Sequence, residues 1–388
     1  MRRIWRFIRF VWRTFLGLVL VLALAWAGSE VLKMADPGAY AEARDWVRVT
    51  RTKYFRPGQR YRFLESRPEY RTIDAAALIR VHSVTDVWTA RADLLRAIWG
   101  EQGLPADLRP TRIERGIEDA TFSPMPEVAR IDRLVRETPP GFLSNAYHLV
   151  PRTPNGKLVL YHEGNTGPFH RNARVLQRFL AEGYDVLAFS MWIIDRQPEI
   201  AVPGAGALYF IDHEFLKFLD RDPMRVYFDP LVAGLNALLE EGAYDDVIAV
   251  GFSGGGWAVT VWSAFDPRIR LSYPVAGNYP LYLRKYRNWS TWQEHYPPMI
   301  AAANYLDMYV MAAAGDGRRQ MQVLNQYDAC CYSGLDWQTY EGAVKAAAAG
   351  LGDGWDIFVD DSHADHRFST PALDRILADI AAHPRPDR

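Results

Sequence analysis

Three groups of residues in this chain have types and spacing that can do covalent chemistry. The first is Gly251-Phe252-Ser253-Gly254-Gly255, where the apolar run of "DDVIAVGFS" meets the helix-like pattern "GGWAVTVWSAF". A strand that turns sharply into a helix brings neighbouring backbone close, so side chains at the flanking positions would clash and glycine is required. The serine is then lifted out of the sheet with the positive end of the helix beneath it. Short Gly/Ser patterns arise by chance, but between a strand and a helix this one reads as a nucleophile. The second group holds the candidate acids. Asp316 in "YVMAAAGDGRRQ" stands just past a run read as a strand, and Asp328 in "NQYDACC" is its rival on the same connection. Asp316 is preferred, because the acid must reach an imidazole from just beyond its strand. The third is "WDIFVDDSHADHRFS", which puts His363 and His366 after the last strand. His366 is preferred, since "HRFS" leads into the cap of the final helix, and His363 stays open as the alternative. Asp360 and Asp361 read as strand terminators.

Positioning such residues requires a scaffold. From 157 onwards strand and helix patterns alternate: "KLVLYHEG", "YDVLAFSMW", "DDVIAVGFS", "IRLSYPVAG", "LDMYVMAAAG" and "WDIFVDD" read as strands, with helical patterns between most of them and "TPALDRILADIAA" at the end. That alternation predicts a mostly parallel central sheet with helices on both faces, whose ligands bind at the carboxyl ends of the strands. Upstream, "ARIDRLVRET" and "LSNAYHLVPR" alternate like half-buried antiparallel strands, and the turn signal Asn155-Gly156 follows them. "AALIRVHSV" reads as a further strand and "TARADLLRAIWG" as a helix ended by Gly100.

The order Ser253, acid, late histidine on this scaffold resembles the α/β-hydrolase superfamily over about 140–385. The resemblance implies a Ser-His-Asp triad and hydrolysis of an ester, amide or related acyl group, without cofactor or metal. It does not imply a substrate. It also implies an oxyanion hole, with one donor after the nucleophile, Gly254, and another from the first crossover loop. There, His162-Glu163-Gly164-Asn165 stands where lipases carry His-Gly-Gly-Gly, leaving Gly164 and Asn165 as alternative donors. His162 and His170 read as structural or rim residues. Two other classes are weighed against this reading. "DSHADH" is similar to the H-x-H-x-D-H metal motif of metallo-β-lactamase-like hydrolases, but Asp361 occupies its first histidine position and only His383 follows, too few ligands for a binuclear site. A non-catalytic exported binding module on the same fold is the second alternative; it would show a lost nucleophile or acid.

Composition bounds the rest. At 388 residues, 49% hydrophobic and 23% charged, the chain is globular, and a net charge of −1 carries no nucleic-acid footprint. The N-terminus sets Arg2, Arg3, Arg6, Arg9 and Arg13 around and before the apolar run "TFLGLVLVLALAWAG", and Ala25-Trp26-Ala27 resembles a cleavage site. Residues 1–35 are therefore a signal peptide or a membrane anchor, residues 36–73 an Arg- and aromatic-rich linker or arm, and residues 74–388 an exported α/β-hydrolase domain with an N-terminal extension, periplasmic or held at the inner membrane. Cys330 and Cys331 are adjacent and read as two small, partly buried side chains, with an oxidised pair as the lesser option. Aromatic-rich insertions at 191–220 and 273–298 lie on the site side of the sheet, as lids do, and Arg284, Lys285 and Arg287 are candidates to hold an anionic substrate. Export and planar aromatics point to a carboxylic-ester hydrolase acting on acylated carbohydrate or envelope material, a small-molecule or polysaccharide ester. Lipase- or peptidase-like activity stays open.

Overall fold

The computed structural model describes residues 2–55, 63–101, 103–122, 125–165, 167–195, 197–202, 204, 206–219, 222–242, 244–285 and 290–385. Its centre is a nine-stranded sheet. In chain order the strands are β1 (Arg112–Glu114), β2 (Val128–Thr138), β3 (Phe142–Pro151), β4 (Lys157–His162), β5 (Asp185–Phe189), β8 (Asp246–Phe252), β9 (Leu271–Val275), β10 (Arg319–Asn325) and β11 (Trp355–Asp360), with β6 (Glu199–Val202) and β7 (Gly206–Tyr209) forming a separate hairpin. The spatial order is β1-β2-β3-β5-β4-β8-β9-β10-β11. The pairs from β1 to β5 across β3 are antiparallel, and every pair from β5 to β11 is parallel. The architecture is the mixed, mostly parallel sheet covered by helices on both faces that the alternation of patterns predicts.

The parallel strands are buried on both faces, which is why β4, β5, β8 and β9 read as continuous apolar runs. One face packs Leu158, Leu160, Leu187 and Ala249 against the helices Arg225–Glu241 and Gly254–Phe265; the other packs Val159, Tyr161, Val186 and Ile248 against Ala173–Ala181 and Thr370–Ala382.

Three elements differ from the sequence reading. "LDMYVMAAAG" is not a strand: Tyr305–Ala313 is a buried helix, opened by a reciprocal capping box between Asn304 and Asp307. The strand of that region is β10, thirteen residues further on, whose Gln320 and Gln322 disguise it. Both glutamines are buried and bonded, Gln320 to Trp355 and Ser272, Gln322 to Tyr340 and the Asn278 carbonyl, while Met321 and Val323 fill the apolar layer. "AALIRVHSV" contains no strand, because Asp74 caps the short helix Ala75–Leu78 and Ser83 caps Val84–Trp99. The segment 36–73, read as a linker or arm, contains the helix Pro37–Phe55, which follows the helix Arg2–Ala35 after the single residue Asp36. Within Arg2–Ala35, Ile8–Ala35 is long and apolar enough to cross a membrane, and none of it is buried by the rest of the chain.

Candidate active site

Ser253 sits at the turn from β8 into the helix Gly254–Phe265, with φ +56° and ψ −123°. A non-glycine residue in that conformation is strained and persists only where the surroundings impose it. The turn is as tight as the glycine pattern requires: a Cβ on Gly251 would stand 2.2 Å from the Gly255 carbonyl oxygen, and one on Gly255 would stand 2.1 Å from that of His162. The Ser253 N–H donates to the Val275 carbonyl at 2.8 Å, which pins the turn to the neighbouring strand β9.

His366 lies in the connection between β11 and the helix Thr370–Ala382. Its Nε2 is 2.8 Å from Ser253 Oγ and its Nδ1 is 2.5 Å from Asp328 Oδ2. The ring also packs on Phe252, the residue before the serine, at 4.8 Å between centroids. Asp328 follows the end of β10 by three residues and is fully buried. Its Oδ1 accepts the N–H groups of Cys330 and Cys331, and its carbonyl accepts from Ser333 Oγ. Asn325, the last residue of β10, donates through Nδ2 to the Arg367 carbonyl and ties the aspartate's strand to the histidine's loop.

Asp316 is not at this site. It is exposed in the turn Gly315-Asp316-Gly317 before β10 begins, where it lines a groove with Trp88, Arg268 and Arg270. A seven-residue strand separates the two aspartates, roughly 20 Å at about 3.3 Å per residue. The preference for Asp316 followed from placing the strand too early; with β10 located, the same rule selects Asp328. His363 makes no hydrogen bond to the serine. It is fully buried, with Nε2 3.2 Å from Asp360 Oδ2. Asp360 additionally accepts from Ser362 N–H and from Ser369 Oγ, the residue that caps the last helix. Burial works against the Asp360 charge, but these partners outweigh it and hold its carboxyl well below the usual carboxylate range.

The first crossover loop wraps over the serine. A Cβ on Gly164 would stand 2.8 Å from Ser253 Cβ, and one on Gly254 would stand 2.1 Å from Asn165 Oδ1. Of the three amides read as oxyanion donors, Gly164 N–H is already taken by Glu163 Oε1 at 3.0 Å. The N–H of Gly254 heads its helix and has no intrahelical acceptor. The N–H of Asn165 has no acceptor among the described residues. Glu163 itself is buried, and its Oε2 accepts from Tyr161 Oη and Asn172 Nδ2, both at 2.7 Å. Burial pushes its carboxyl above the ordinary value. The residue that departs from the lipase pattern thus organises the loop. His162 is buried against Phe189, and burial lowers its imidazole to about 4; His170 packs edge-on against Phe169.

The motif that resembles a metal site does not converge. His363 is held at Asp360, Asp365 pairs with Arg48, and Asp361 is exposed, so only His366 reaches the serine. The cysteines are bonded to each other as a disulfide beside His366, in place of the two separate side chains favoured by the sequence reading. Among the candidates for an anionic substrate, Arg284 is buried between the rings of Tyr305 and Tyr332 and bonded to Glu294 and the Tyr279 carbonyl, so it serves the packing of the insertion. Arg287 lies outside the described residues.

No protein-family model matches this chain, and no curated protein matches it. Solved structures do. A methylesterase, BT1017, aligns over 84% of this chain and 71% of its own at 13% identity, with a TM-score of 0.55. Acetyl xylan esterases from Paenibacillus sp. R4 and Thermoanaerobacterium sp. JW/SL YS485 align at 14% identity over 86% and 81% of this chain and 99% and 98% of theirs, with TM-scores of 0.48 and 0.47. The chain has the α/β-hydrolase fold.

Proposed function

We propose that this protein is a serine hydrolase that cleaves carboxylic esters, with Ser253 as nucleophile, His366 as general base and Asp328 as the acid that orients it. The observation that carries this reading is the position of one imidazole between the serine and a buried carboxylate, at 2.8 Å and 2.5 Å. With Nδ1–H donated to Asp328, the Nε2 lone pair faces the serine hydroxyl. Ser253 Oγ adds to the acyl carbon while its proton passes to Nε2. The negative charge on the former carbonyl oxygen is met by the N–H groups of Gly254 and Asn165. Collapse expels the alcohol, which takes the proton from Nε2; water then repeats the sequence on the acyl-enzyme and frees the acid. Asp328 stabilises the imidazolium without taking its proton.

The solved structure with the same fold is named a methylesterase, and that supports ester over amide chemistry here. The substrate class proposed is acylated carbohydrate or envelope material. The apolar segment Ile8–Ala35, flanked by arginines on its N-terminal side, supports an exported domain held at, or released from, the inner membrane. A fluorophosphonate probe tests the reading: it should label the wild-type chain stoichiometrically and leave Ser253→Ala unlabelled. A panel of p-nitrophenyl acyl esters should then show kcat lower by about 10⁴–10⁶-fold in that variant. Undiminished labelling of Ser253→Ala would remove the hypothesis.

A further inference from the structure

The two residues that flank His366 both pair with the same helix. Arg48 Nη1 is 2.5 Å from Asp365 Oδ2, and Arg367 Nη2 is 2.5 Å from Asp45 Oδ2. Asp45 and Arg48 are three residues apart, one turn along Pro37–Phe55, and so share a face. The two pairs are unequal. Arg48 and Asp365 are exposed at 47% and 39%, and such a pair is worth little by itself. Asp45 is buried; burial opposes its charge, but Arg367, with help from Arg44, holds its carboxyl below the ordinary value. A groove of about 690 Å³ lies between this helix and the start of the helix Thr370–Ala382, and the two ion pairs connect the helix to the histidine's loop.

The same N-terminal segment reaches the aspartate's loop. Gln326 Nε2 donates to the Phe63 carbonyl at 3.1 Å, and the rings of Phe63 and Tyr327 meet at 6.0 Å. Gln326 and Tyr327 directly precede Asp328. The chain between the apolar helix and the sheet domain therefore braces both loops whose spacing sets the contact of Asp328 with His366.

We infer that Asp45 and Arg48 are positioning residues of the active site, fixing the His366 loop through Arg367 and Asp365, so that the helix Pro37–Phe55 belongs to the catalytic unit and is not a tether. The inference rests on the serine-hydrolase reading. A misplacement of about 1 Å in a catalytic group costs on the order of 10²-fold in rate. The bracing acts on the placement of the histidine and supplies no group to the acyl transfer itself, so its loss should appear in kcat and spare KM.

The test uses the full chain in detergent, with a p-nitrophenyl ester as substrate. Asp45→Asn should lower kcat about 10- to 100-fold and Arg48→Ala about three- to tenfold, both with KM within twofold of wild type. The exchanged pair Asp45→Arg with Arg367→Asp should recover most of the loss of Asp45→Asn, which a general loss of stability would not allow. Arg48 is exposed, so Arg48→Ala should fold and decides the matter if Asp45→Asn does not. If both folded variants keep kcat within twofold of wild type, or if KM alone changes, the inference is overturned while the serine-hydrolase reading stands. A wild-type chain that neither takes up fluorophosphonate nor turns over any ester removes both.

Discussion

Asp328 and Cys330 are joined across a turn of two residues: the Cys330 N–H donates to Asp328 Oδ1 at 2.7 Å, and the Cys331 N–H reaches the same oxygen at 3.3 Å. The carboxylate is thus oriented from behind, leaving Oδ2 for His366. The Cys331 amide is itself part of the small ring that the disulfide closes, so its direction depends on that bond. Opening the ring with a dithiol, which is oxidised as the protein disulfide is reduced to two thiols, should loosen one hydrogen bond to a charged acceptor. A loss of ~1 kcal/mol corresponds to about a fivefold fall in kcat. Reoxidation should restore the rate, and a variant with both cysteines changed to alanine should be insensitive to the dithiol. Full activity after both thiols are shown to be free, by alkylation of a parallel sample, would mean that the turn holds its shape unaided.

The two aspartates offer a direct comparison. Asp328→Asn keeps the size of the side chain but no longer stabilises the imidazolium or selects its tautomer, so kcat should fall by about 10³–10⁴-fold. Asp316→Asn, in an exposed turn at the far end of β10, should leave kcat and KM within about twofold, as surface changes away from such features do. Steady-state kinetics on one ester decide it. A severe Asp316→Asn and a mild Asp328→Asn would contradict the assignment.

That reversal shows what the sequence could and could not display. The serine turn was legible because its glycines are required by backbone contacts of about 2 Å, and such contacts leave a mark on composition. The late histidines were legible because β11 is apolar enough to be found. The acid was not, because its position is defined only relative to β10. A short apolar run is compatible with a buried helix or a buried strand. Here "LDMYVMAAA" took the helix, as the capping pair Asn304 and Asp307 could have signalled, and β10 hid behind buried glutamines. The bracing by Asp45 and Arg48 was out of reach for another reason. Their partners are about three hundred residues away, and nothing local in a charged helix face distinguishes a bonded residue from a solvated one.

His363 and His366 should separate by the kind of damage they cause. His366→Gln removes the base, so kcat should fall nearly as far as in Ser253→Ala. His363→Gln leaves the buried Asp360 one partner short, a loss of roughly 1–3 kcal/mol. It should therefore lower the melting temperature while kcat/KM of the folded protein stays within about threefold. Thermal unfolding and kinetics on the same preparations distinguish the two outcomes. A stable but inactive His363→Gln would give that residue a part in the chemistry.

The orientation of the apolar helix can be read in cells. With its arginines retained inside, Ile8–Ala35 should carry everything after it to the other side of the inner membrane. Alkaline phosphatase fused to the C-terminus should be active, and a fluorescent protein that folds only in the cytoplasm should be dark at the same position. Immunoblotting of the mature chain would separate an uncleaved anchor from cleavage near Ala27. A silent phosphatase and a bright cytoplasmic reporter would reverse the proposed topology.

Acid should unfold the protein through its buried histidines. Burial lowers His162 and His213 to about 4, from the ordinary 6.5 of an imidazole. Between those values the unfolded chain binds protons that the folded chain refuses, so stability rises with pH across this window and is lost as pH falls from 6.5 towards 4. For His162, which is buried on Phe189, the full effect is on the order of 3 kcal/mol. His148 acts in the opposite sense: burial disfavours its charge, but Asp132 and Asp185 outweigh that and raise it, so its contribution is largest at low pH and fades as pH rises. Burial lowers His295 to about 4 as well, and three depressed histidines against one raised histidine should give a net fall in melting temperature from pH 6.5 to pH 4. His213→Gln keeps a group able to bond Tyr227 Oη, the present partner of His213 Nδ1. It should flatten the fall measurably. If its profile superimposes on that of the wild type, His213 is not among the groups that make the fold sensitive to acid.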